Sequence, residues 1–144
     1  MLQRALFVIV LLFIAYPAPA EQAIPNLVGK WEGSRTSFVI WQGHFRYVVE
    51  EPLTSYVIDK QEGRLIAGEK RSRLGMEGRK SGEEFFGVIS PDYKTVLVAE
   101  HASGYAVFHL LGPDEMEVSY VSDGSDARDS ELMASIQRLT RKRE

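Results

Sequence analysis

The residues able to do chemistry are few and poorly placed for it. There are three histidines, His44, His101 and His109. No two are spaced as metal ligands on one strand or one helix face. His109 sits in the apolar run YAVFHLL, where a hydrogen-bonded or mouth-lining imidazole is expected. His101 falls in a turn sequence. Glu50-Glu51 and Glu83-Glu84 are adjacent pairs, and neighbours on a strand point to opposite faces, so neither pair makes an acid/base couple. No Gly-x-Ser-x-Gly elbow and no phosphate-binding glycine loop is present. The acidic stretch Asp123 to Glu131 does not have EF-hand spacing and contains Arg128; it reads as a solvated loop. No catalytic residue, metal site or cofactor is therefore expected, and the chain reads as a non-enzyme.

Charge narrows the partners. Seventeen Lys and Arg against twenty Asp and Glu give a formal charge of −3, which does not suit a nucleic-acid binder. Lys70, Arg71, Arg73, Arg79 and Lys80 gather in one polar segment, read as a solubilising hairpin with Glu69 and Glu77 diluting it. The absence of cysteine excludes disulfides, thiolate zinc and cysteine nucleophiles.

These residues need a scaffold, and 144 residues allow one domain. Met1 to Ala20 has a cationic start, an apolar stretch of about 12 residues and a final Ala18-Pro19-Ala20. That is the pattern of a cleavable signal peptide, too short for a membrane span. Cleavage leaves 124 residues of charge −4, expected to be soluble and exported, periplasmic or secreted. Residues 21–28 form a lead-in, 29–141 the domain and 142–144 a basic tail.

From Gly29 onward, short runs rich in β-branched and aromatic residues alternate with turn signals. The runs are 29–40, 53–59, 64–70, 83–90, 94–100, 105–111, 115–122 and 131–141. Phe45 to Val49 lies in a looser stretch, as an extra short strand or a flap over an apolar face. Ser90-Pro91-Asp92-Tyr93 is a turn that presets its own backbone. The last run has helical spacing through Leu132, Met133, Ile136 and Leu139, but the meander needs an eighth partner, so strand is expected. Tight turns between neighbours mean antiparallel pairing. The expected fold is all-β, an antiparallel eight-stranded up-and-down barrel, with a two-sheet sandwich as the competitor.

Gly29-Lys30-Trp31 at the first strand and Leu139-Thr140-Arg141 at the last, around an eight-strand meander, resemble the calycin superfamily of lipocalins, fatty-acid-binding proteins and avidin-like barrels. The resemblance covers about Leu27 to Arg141. It implies that Trp31 plugs one barrel end behind Gly29 and that Arg141, or alternatively Arg138, stacks over it. A stacked guanidinium contributes about 0.5–2 kcal/mol. No lipocalin disulfide is possible, and no ligand carries across.

A barrel of this size has room for side chains or one small ligand. Candidate lining residues are Trp41, Tyr56, Phe86, Phe108, His109 and Tyr120. Their facing is open, because a one-residue slip reverses every side chain. The runs with Phe85/Phe86, Val96/Leu97/Val98 and Val107/Phe108 are apolar on both faces, which leaves an apolar outer patch suited to self-association or a protein partner. Two functions follow as expectations. The first is an exported binding protein for a small, partly apolar ligand. The alternative is an interaction module, such as an exported inhibitor or an assembly subunit.

Overall fold

The computed structural model describes residues 23–41, 43–72, 82–101, 104–123 and 132–143. The signal segment 1–20, most of the basic hairpin and the acidic loop 124–131 lie outside the described residues. Eight strands follow in chain order: β1 (Gly29–Trp41), β2 (His44–Glu62), β3 (Leu65–Ser72), β4 (Gly82–Ile89), β5 (Thr95–Glu100), β6 (Tyr105–Gly112), β7 (Glu115–Ser122) and β8 (Met133–Lys142). Each pairs antiparallel with its neighbours, and β8 returns to β1, so the sheet closes into a barrel without free edges. No helix among the described residues is long and apolar enough to cross a membrane.

The last run is a strand, as closure requires. It pairs with β1 from Lys30↔Lys142 to Val39↔Met133 and with β7 on its other side. Its helical spacing is overridden because Ser135, Gln137 and Leu139 alternate inward, giving a period of two. The segment around Phe45–Val49 is neither a separate strand nor a flap. It is the first half of the long β2, hairpinned onto β1 through Phe38↔Tyr47 and Ile40↔Phe45. Two register shifts opposite Arg35 each place an extra residue on β2, between Val48 and Thr54, while β1 keeps an unbroken register with β8.

Local chemistry sets the turns. Asp92 Oδ1 accepts from the amides of Lys94 (2.9 Å) and Thr95 (3.0 Å), and its Oδ2 accepts from the Thr95 hydroxyl at 2.9 Å. These bonds hold the Asp92 carboxyl below the usual carboxylate range, the Lys94 amide first among them.

One barrel end is stoppered. Trp31 is fully buried and its indole N–H donates to the Leu27 carbonyl at 2.9 Å. Leu27 is itself buried, its amide donating to Gln61 Oε1 at 2.8 Å, while Gln61 Nε2 donates to the Pro25 carbonyl. The lead-in thus seals the plug from outside the sheet. The Arg141 guanidinium stands 4.5 Å from the Trp31 ring centre and donates to the Asn26 carbonyl at 2.5 Å. Arg138 points outward to Glu115, so Arg141 is the stacking residue. Gly29 opens β1 at φ 144°, a conformation that side chains disfavour, beside the Arg141 methylenes.

Above the plug, Tyr56, Phe85 and Phe108 meet edge to face with centroids 5.0–6.2 Å apart. Ile58, Ile89, Val96, Met116, Val118 and Leu139 fill the space around them.

Candidate functional site

The other half of the interior is polar. Arg35, Ser37, Thr54, Lys70, Glu100, Ser122, Ser135 and Gln137 are all buried. Each reaches the lumen by strand alternation. On β5 Val96 and Val98 face in, so Glu100 does too. On β3 Ile66 and Lys70 face in. On β1, β8 and β7 the register aligns Ser37, Ser135 and Tyr120 in one row across adjacent strands.

At the centre, Lys70 and Glu100 form a hydrogen-bonded ion pair with almost no exposure. The Tyr56 hydroxyl donates to the second Glu100 oxygen at 3.0 Å. Lys70 also lies 3.8 Å from the centre of the Tyr120 ring, so its ammonium bridges β3 to β7 across the lumen. Burial pushes the Glu100 carboxyl above its ordinary value, although Lys70 pulls the other way. Burial, then the Glu100 charge, pushes the Tyr56 phenol well above 10. Together the four side chains form a layer between the apolar filling and the polar half of the interior.

Two atoms of this half are buried and make no hydrogen bond with the described residues: Ser37 Oγ and Gln137 Oε1. Gln137 is 1% exposed, and its amide nitrogen is 3.5 Å from Ser135 Oγ. An acceptor left unmet at that depth costs about 1–3 kcal/mol.

Gly104 fits the site by close approach. Its φ is 107°, and a Cβ would fall 2.5 Å from the Tyr120 hydroxyl. Glycine here lets the Tyr120 ring lie against the backbone.

The residues expected to line the interior divide. Tyr56, Phe108 and Tyr120 face inward and touch the layer or the filling. Phe86 does not: it faces solvent and Phe85 takes the core place, the adjacent-residue slip that doubly apolar strands permit. His109 is likewise on the outer face, across from Thr95 and Glu117, because Phe108 claims the inward position. Trp41 pairs with His44 at the end of β1, and its side chain lies outside the described residues. Of the basic hairpin, Lys70 is inside the barrel rather than solvated, while Arg71 is exposed and paired with Glu69 at 2.7 Å.

Lys70, Glu100, Ser37 and Gln137 were not legible as site residues. The signal was present in Val96-x-Val98-x-Glu100, but Leu97 and Ala99 make the opposite phase equally apolar. Among the described residues, no three His, Asp or Glu side chains gather as a metal would need.

No protein-family model matches the chain, and no curated protein matches it. The barrel itself, closed, antiparallel and eight-stranded, fits a calycin-like fold.

Proposed function

We propose that this chain is an exported calycin-like binding protein, without catalysis of its own, that holds a small, partly apolar molecule at the polar end of its barrel. The supporting observation is the buried Lys70–Glu100 pair, set with Tyr56 and Tyr120 beneath a row of inward hydroxyls. A barrel needing only stability would fill this layer with apolar side chains, since a buried ion pair seldom outperforms them. The polar layer therefore serves recognition. Gln137 Oε1 and Ser37 Oγ suit an N–H or O–H group on such a molecule.

Native mass spectrometry of the purified protein tests this. A retained small-molecule mass is expected, diminished in a Gln137→Met variant that keeps the wild-type melting behaviour. A bare chain mass from its native host, with no change in melting across a library of small polar aromatics and lactams, overturns the reading.

A further inference from the structure

On the outside of β3 to β6, remote from the polar lumen, a second feature is built from the residues that alternation turned outward. Leu65, Phe86, Val88, Leu97 and Tyr105 all project from this face, with Phe86 71% and Tyr105 70% exposed. The register places Phe86, Ala99 and Tyr105 side by side on three adjacent strands, two large side chains flanking a small one. The result is a slot with Ala99 on its floor and the two rings as walls. Leu65, Val88 and Leu97 continue it into a hollow of about 390 Å³.

We propose that this face is the interface of a two-fold homodimer, in which Phe86 of each copy enters the slot over Ala99 of the other. The surface carries both the knob and the hole, which is what an isologous contact requires of one patch. The five side chains expose on the order of 600 Å² of apolar surface, close to the ~800 Å² per partner of a stable interface. A lipid bilayer does not fit this face. The apolar band is only two or three outward positions tall, about 7–14 Å, against the ~25 Å belt of a membrane barrel. The stretch Phe45–Val49 is paired to β1 and leaves Phe86 and Tyr105 exposed.

Light scattering across concentrations from about 5 to about 200 µM tests the proposal. The wild type is expected at twice the chain mass. Phe86→Glu and Ala99→Trp, one removing the knob and one filling the hole, should each weaken association by about 100-fold or more with unchanged circular dichroism. Ile136→Glu, on the exposed apolar surface of β8, should leave the dimer intact. A monomer throughout the range overturns the proposal. So does a dimer that survives both face variants, or one that Ile136→Glu dissolves.

Discussion

Trp31 and Arg141 are direct register partners across the β1–β8 seam, 110 positions apart in the chain, with the guanidinium 4.5 Å from the indole. One contact therefore joins the first strand to the last and stoppers the barrel. Because Arg141 also holds the Asn26 carbonyl, it fastens the lead-in over the plug. Arg141→Met should cost about 1–2 kcal/mol, from the lost stacking and the lost charged hydrogen bond. Arg138→Met, which breaks only an exposed pair with Glu115, should leave the stability close to that of the wild type. Urea midpoints of the two variants check the contrast.

Trp31→Ala removes the largest fully buried side chain among the described residues and leaves the Leu27 carbonyl without its indole donor. A loss of about 3–5 kcal/mol is expected. Trp31→Phe should recover the packing but not the hydrogen bond, and should fall between. Equilibrium unfolding, together with the near-ultraviolet signal of the indole, provides the measurement.

The Lys70–Glu100 pair should behave as a unit. Lys70→Met or Glu100→Gln alone strands a buried partner and is expected to cost about 3–5 kcal/mol. The double variant should cost much less than the two added together. A double-mutant cycle in urea gives the coupling directly, and additive losses would remove the pair from the interior.

Alkaline pH should unfold the chain through Tyr56. Its folded pKa is raised well above 10, first by burial and then by Glu100, so the folded state keeps the phenolic proton that the unfolded chain releases near 10. The stability this confers is complete below pH 10 and is lost as pH climbs beyond it. Glu100 has the same sign on the carboxylate scale. Its raised value favours the folded state fully below about 4.5, and that contribution declines as pH rises through the folded value. Absorbance titration at the phenolate band should show one tyrosine ionising only with unfolding. Tyr56→Phe should flatten the alkaline slope.

Gly104→Ala should push the Tyr120 ring from its place, since the new Cβ meets the hydroxyl at 2.5 Å and the φ of 107° disfavours a side chain. A loss of about 1–3 kcal/mol is expected. A changed Tyr120 chemical shift separates this from strain in the backbone alone.

Composition and spacing were enough for the architecture. Turn signals cut the chain into eight extended runs, short connections made neighbours antiparallel, and the need to satisfy two edges made the last run a strand despite its helical spacing. Trp31 and Arg141 were legible through the calycin resemblance of Gly29-Lys30-Trp31 and Leu139-Thr140-Arg141, which implied an indole plug with an arginine over it. The inside of the barrel was not legible in the same way. In Phe85-Phe86 and Val96-Leu97-Val98 both phases of the alternation are apolar, so hydrophobicity cannot say which residue enters the core. Only closure of the sheet, which fixes every register against two neighbours at once, turned Phe85 in and Phe86 out. The same step carried Lys70 out of an apparently solvated hairpin and into contact with Glu100, thirty residues away, where burial changes what both can do.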